Sequence, residues 1–405
     1  MQHAKPILWW PIALCALSVL LDGYDAQMLA MAIPLMAREL GVPPTAFAMA
    51  ASSSLAGMAI GALLLSPLAD RFGRRRMLVA SLLLFGVPTL CAMQSGSPLE
   101  MALWRLLAGC GLGATVPVTI GISTDLAPPG RRVSIATLAA SGFAVGASSA
   151  GLITPLLAAQ WGWRGMFCYG GVAPLLIALL AWRGIPDDGK SARSVDAAAP
   201  RTVSGAPRLG LLFRAGVWPR TLLLWAVNAI NLFANYGFAS WLPTLMVQNG
   251  WTLPSASRLM AVLAIGAVSG SIVVSRLVDR GSLVKGFAGG YLIAALALLL
   301  CGTNPASPAV WAGLLVMIGF GAIGTQLTLG PLAASLYPDD ARATGIGWAS
   351  GLGRAGSLFG PLALAWLMNR NLPPTQVLAA LTVPMLGCVV CVLLLAVALR
   401  ARKET

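Results

Sequence analysis

Apolar stretches of about 20 residues, each long enough to cross the hydrocarbon core of a bilayer, recur along the whole 405-residue chain. They fall near 8–36, 45–69, 77–94, 99–124, 133–159 and 165–183, and again near 218–245, 257–279, 284–302, 308–336, 342–368 and 375–400. Long continuous apolar runs exclude a barrel, whose strands alternate, so the spans are read as helices. The expected fold is an all-α integral membrane protein with twelve transmembrane helices. Composition agrees: 58% of residues are hydrophobic and 10% charged, against about 25% charged in a soluble domain.

A net charge of +14 raises the question of nucleic acid, and its distribution answers it. Most of the 27 Lys and Arg lie at the termini or in alternate connections, as with Arg74, Arg75 and Arg76, or Arg131 and Arg132. The exceptions are Arg38, Arg164, Arg258 and Arg370 in the other connections, and Arg105 and Arg354 inside spans. This is the positive-inside bias. It predicts a multi-pass protein of the cell (inner) membrane with both termini cytoplasmic and no nucleic-acid partner.

All seven cysteines sit in apolar segments, and Cys388-x-x-Cys391 has no polar company, so the thiols read as packing residues rather than a redox or metal pair. The single histidine, His3, lies in the N-terminal tail and cannot serve an intramembrane relay. Proton chemistry within the membrane therefore falls to carboxylates. The first span is too long for a signal peptide and is expected to be retained.

One long polar stretch, rich in Pro, Gly, Ser and mixed charge, divides the spans six and six. It predicts an N-terminal bundle over 1–183, a cytoplasmic linker over 184–217 and a C-terminal bundle over 218–405. The halves are related: "SPLADRFG" (66–73) returns as "SRLVDRG" (275–281), and the Ala-Ser-Gly of 140–142 returns at 349–351, both shifted by about 209 residues. Two pseudo-symmetric six-helix bundles describe an alternating-access transporter with its site near mid-membrane.

"SPLADRFGRRR" resembles the loop signature of the major facilitator superfamily, G-x-L-x-D-R-x-G-R-R, with Ser66 in place of the first glycine. "LDGYD" (21–25) resembles the D-G-x-D signature of the aromatic acid:proton symporters within it. "RLLAGCGLGATVP" and "YPDDARATGIGWASGLGRAGSLFGP" resemble that family's fourth and tenth-to-eleventh spans, so the likeness covers nearly the whole chain. Asp125 stands where the resemblance implies a glutamate. By this likeness the protein imports aromatic carboxylates together with protons. It uses the proton gradient and no cofactor, its partners are the acid, H+ and the bilayer, and it works as a monomer.

Asp22 and Asp25 are i,i+3 neighbours on one face of the first span. An acid at the centre of a spanning helix costs roughly 2.5–3.5 kcal/mol on insertion scales, so the pair is expected to face the bundle or water and to carry the proton. The plainer alternative is a pair that only fixes packing. Arg105, followed on its own face by Gly109 and Gly113, either attracts a substrate carboxylate, pairs with an aspartate of the first span, or snorkels outward. Arg354 sits deep in "GLGRAGSLFGP", and its planar guanidinium suits a carboxylate through two hydrogen bonds. Its alternative is a structural ion pair.

Asn228, Asn231 and Asn235 recur at helical spacing with Trp225 and Phe238, a face that suits a hydroxylated ring or serves as interhelical glue. Tyr24, Gln326 and Trp348 are further candidates for the substrate site. Asp70, Arg71, Gly73, Arg74 and Arg75, with Asp125, are expected to form a cytoplasmic gate, and Asp279 and Arg280 to supply its counterpart in the second half. Topology alone explains Arg76 and Arg131 but not the matched acids.

The rival readings are a related carrier of another small organic solute (an aliphatic acid or sugar importer, or a drug exporter) and a membrane receptor. Export loses weight because the fifth span, "GFAVGASSAGLITP", lacks the paired glycines after a proline that exporters of the superfamily commonly carry. An enzyme is not expected: the membrane holds no histidine and no metal-ligand cluster.

Overall fold

The computed structural model describes residues 9–65, 68–127, 135, 138–139, 142–186, 218–336 and 342–400. Two compact units divide the chain, Met1–Arg201 and Thr202–Thr405. The division falls within the expected linker, whose residues 187–217 lie outside the described residues.

In the first unit α1 runs over Trp9–Leu40, four residues past the expected end and through Pro34. A single 3-10 turn, Pro44–Phe47, leads into α2, Ala48–Ile60, which widens into a π segment over Gly61–Leu65. The short α3, Leu68–Phe72, precedes α4, Arg74–Ala92, and α5, Pro98–Leu126. The start of α5 is legible locally. Ser97 caps it by accepting from the Glu100 amide at 3.3 Å, Glu100 reaches back to the Gly96 amide at 2.8 Å, and Pro98 fills the first helical position. The expected fifth and sixth spans form one helical path, α6, Gly142–Gly184, broken at Gly162, whose φ of 63° and ψ of −161° are not helical. The first residues of the fifth span, from 133, lie mostly outside the described residues.

In the second unit, α7 covers Trp218–Gln248, α8 Leu253–Asp279 and α9 Leu283–Cys301. The tenth span is α10, Pro308–Ile318, a π segment over Gly319–Ile323, and α11, Gly324–Leu336. The eleventh is α12, Arg342–Met368, and the last is α13, Pro374–Ala380, followed by α14, Thr382–Arg400. Every expected span thus has a helical counterpart. Among the described residues, ten helical stretches are long and apolar enough to cross a membrane, α6 counting as one. Large apolar side chains such as Leu63, Leu156, Ile265 and Val383 stay exposed, as lipid-facing positions do. The seven cysteines are free thiols, with Cys15, Cys301 and Cys388 buried.

Glycine sets how closely the helices approach. A Cβ on Gly146 of α6 would overlap the Leu20 carbonyl of α1, and one on Gly23 would overlap the Phe143 carbonyl coming the other way. The glycine between the two aspartates is therefore there for close packing. The second unit repeats the device about 209 residues on: Gly356 of α12 rests on the Ala229 carbonyl of α7. Close approach through small residues is what holds helices together where no hydrophobic effect operates between them. Gly146→Ala is accordingly expected to lower the midpoint of thermal unfolding in detergent, at the roughly 1–3 kcal/mol typical of overpacking. Gly313→Ala, where a Cβ meets nothing within 4 Å, is expected to leave it unchanged or raise it, because alanine is the better helix former.

Candidate functional site

Three polar clusters occupy these apolar bundles. In the first unit, α1 brings Asp25 against Arg105 of α5. The guanidinium holds both carboxylate oxygens, Nη1 to Oδ1 at 2.7 Å and Nη2 to Oδ2 at 2.6 Å, and Nη2 also donates to Ser54 Oγ of α2 at 3.0 Å. Arg105 is 2% exposed and Asp25 fully buried. Of the three fates open to Arg105 from sequence, the structure shows pairing within the bundle. Its remaining donor, Nε, is buried with no hydrogen-bond partner among the described residues. Asp22, one turn before Asp25, is also buried. Two acids and one arginine therefore share the α1–α5 region. All three are at most 2% exposed, so Coulombic terms act at a lower effective dielectric than in water.

Tyr24, between the two acids, belongs to the α1–α6 contact. Its hydroxyl donates to the Met166 carbonyl at 3.2 Å, and its ring meets Tyr169 edge-on with centroids 4.9 Å apart.

The second unit carries a chain of amides. Asn235 Nδ2 donates to Asn231 Oδ1 at 3.1 Å, Asn231 Nδ2 to Gln326 Oε1 at 2.8 Å, and Gln326 Nε2 to Asn228 Oδ1 at 2.8 Å. Asn231 Nδ2 also approaches Tyr291 Oη of α9 at 3.3 Å and the Ala322 carbonyl at 3.1 Å, and Asn235 Nδ2 the same carbonyl at 3.3 Å. Ala322 lies in the π segment, where the i→i−4 ladder is interrupted and a carbonyl is freed for side chains, a distortion frequent at functional sites. Trp225 and Phe238 are buried on the same helix. The repeat shift of about 209 carries Asp22 onto Asn231. The two halves thus place a charged and a neutral polar group at corresponding points.

Arg354 joins neither cluster. Its side chain is exposed at mid-span, and among the described residues its guanidinium makes no hydrogen bond or ion pair. The preceding residue, Gly353, packs against the Asn228 amide. The Trp348 side chain lies outside the described residues.

The third cluster is at the end of α5. Arg74 Nη1 pairs with Asp125 and donates to the Gly121 carbonyl at 2.7 Å. A cation there also offsets the negative end of the helix dipole, which Asp125 alone would worsen. Gly73 makes this reach possible: it caps α4 with φ at 94°, a backbone that other residues rarely adopt. Arg75 points elsewhere, over the Trp182 ring at 4.9 Å and toward the Ile185 carbonyl at 3.4 Å. The side chains of Asp70, Arg71 and Asp279 lie outside the described residues, and Arg280 is exposed. Because the Arg74–Asp125 pair is 30% and 55% exposed, it is worth at most about 1 kcal/mol of stability. Arg74→Ala and Asp125→Asn are therefore expected to move the midpoint of thermal unfolding in detergent little.

Four contributors are not evident from sequence: Ser54, Tyr291, the Ala322 carbonyl, and a latch at the end of α1. In the latch Glu39 takes Arg164 at 2.5 Å and Trp163 Nε1 at 2.7 Å. Ser54 alone had a signal, as the last of the serines 52–54 in an apolar span.

Comparison with known proteins agrees with this architecture. The model of the Major Facilitator Superfamily matches residues 15–361. The 4-hydroxybenzoate transporter PcaK of Acinetobacter baylyi is 31% identical over 403 residues, covering 93% of this chain and 88% of that protein. The gentisate transporter of Corynebacterium glutamicum is 31% identical, covering 87% and 80%. Among solved structures, an inward-facing bacterial homologue of the human lysosomal transporter Spinster superposes with a TM-score of 0.77. It is 17% identical and covers 100% of this chain and 98% of its own, a likeness of fold.

Proposed function

The chain belongs to the Major Facilitator Superfamily and is a multi-pass membrane transporter, and we propose that it imports aromatic carboxylates together with protons by alternating access. The cargo class rests on its relatives, named as carriers of 4-hydroxybenzoate and gentisate. The observation that carries the coupling is the buried, bidentate Arg105–Asp25 pair one helical turn from buried Asp22.

An ionised carboxyl buried in this region is expensive, so a proton taken up there changes the energy of the conformation that holds it. Asp25 is committed to Arg105 through two hydrogen bonds that a proton would weaken, so Asp22 is assigned the proton. Arg354 supplies the complementary charge for the substrate. A cation exposed in mid-span is tolerable only against water or a bound anion, and a guanidinium matches a carboxylate in two hydrogen bonds. The amide chain from Asn228 to Asn235 offers donors and acceptors to ring hydroxyls, with Trp225 and Phe238 as apolar walls. The Arg74–Asp125 pair serves as half of a cytoplasmic gate. The gradient is the energy source, no cofactor is needed, and the positive-inside pattern puts both termini in the cytoplasm of an inner-membrane monomer.

The test is uptake by proteoliposomes of labelled 4-hydroxybenzoate, gentisate, benzoate and an aliphatic acid, with the outside made acid. Uptake of the aromatic acids above protein-free liposomes is the expected result. Uptake of the aliphatic acid alone, or of none, would remove the aromatic reading and leave the family membership intact.

A further inference from the structure

A crevice of about 740 Å³ opens in the second unit where the start of α9 meets the end of α14, directly after Arg280, the residue expected from sequence in the second half's gate. Its floor is apolar: Leu283 and Val284 from α9, and Leu393, Ala396 and Val397 from α14. Leu393 and Val397 are among the exposed large apolar side chains. Its mouth is polar and positive. Lys285 and Ser282 line it, and Arg280 lies exposed just ahead of Gly281. Ser282 is the N-cap residue of α9 but makes no capping hydrogen bond through its side chain. The first amides of a helix have no intrahelical acceptor, and the start of α9, with the positive end of its dipole, lies among the lining residues.

Apolar floor and cationic mouth meet at one end of two spanning helices. That depth is where lipid headgroups sit over their acyl chains. We propose that this crevice holds one anionic phospholipid, its phosphate at Lys285, Ser282 and the amides of α9, and an acyl chain along Leu393, Ala396 and Val397. The charge decides among lipids. A lysine near an anionic surface is worth about 1 kcal/mol, and a zwitterionic headgroup returns little of it. The orientation proposed above places the site in the cytoplasmic leaflet; the crevice and its charge do not depend on that assignment.

The experiment is native mass spectrometry of the full chain in a neutral detergent, with equal amounts of phosphatidylglycerol and phosphatidylethanolamine. The expected result is one phosphatidylglycerol retained in preference. Lys285→Gln should reduce it about fivefold, the equivalent of that lysine's share. Val397→Trp, which fills the crevice from a surface position, should reduce it as well. Arg258→Gln, an exposed charge at the far end of α8, should leave it unchanged. Equal retention of the two lipids, indifference to both crevice variants, or displacement of the lipid by inorganic phosphate alone would each overturn the proposal. Uptake of aromatic acid is measured separately, so a failure here is distinct from a failure of the transport reading.

Discussion

Removing one member of the Asp25–Arg105 pair, by Asp25→Asn or Arg105→Gln, will cost about 3–5 kcal/mol of stability and abolish transport. The double variant will recover most of the stability and none of the transport. The asymmetry follows from burial. Both groups are at most 2% exposed, so a single substitution breaks a buried bidentate ion pair and strips the remaining member of the partner that holds it. The double variant removes both charges of the pair and keeps a neutral amide pair in nearly the same volume. Arg105→Lys will fall between, because an ammonium retains the charge but cannot hold both oxygens in one plane and lacks the Nε donor. Thermal unfolding in detergent, together with counterflow of labelled 4-hydroxybenzoate, separates the two effects. If the double variant were no more stable than the singles, the pair would not be the unit of stability assigned to it.

Asp22→Asn is the second large effect, and its signature is different. Asparagine resembles a protonated aspartic acid in shape and charge, so the variant is expected to fold and to exchange internal for external substrate. What it will lose is accumulation. At one proton per substrate a gradient of one pH unit supports about tenfold accumulation, equivalent to ~1.4 kcal/mol. The variant should stay near an even distribution once the leak into protein-free liposomes is subtracted. Retained accumulation in Asp22→Asn would move the proton to another group.

Much of this was legible in the sequence, and the illegible parts share a cause. Hydropathy marks the spans because every backbone polar group in lipid must be satisfied within a helix. It also marks the gap between the fifth and sixth spans at 160–164, where Gly162 departs from helical geometry, though not that residue's backbone angles. The i,i+3 spacing of Asp22 and Asp25 put them on one face, but no spacing says which acid an arginine 80 residues on will reach. Arg105 therefore stood open between three fates until the packing of α1 on α5 was seen. The Asn228, Asn231 and Asn235 face was visible as a helical period. Its partners Tyr291 and the Ala322 carbonyl were not, since a carbonyl freed by a π turn leaves no mark in residue type. Of the three consecutive arginines 74–76, sequence could not tell that Arg74 takes Asp125 while Arg75 turns to Trp182.

The most direct test of the central claim is the proton itself, followed with a pH electrode in lightly buffered proteoliposomes as 4-hydroxybenzoate is added outside. The account predicts external alkalinisation above that of protein-free liposomes, in step with entry of the labelled acid, and its loss in Asp22→Asn. Protein-dependent entry of the acid with no accompanying proton movement would contradict it.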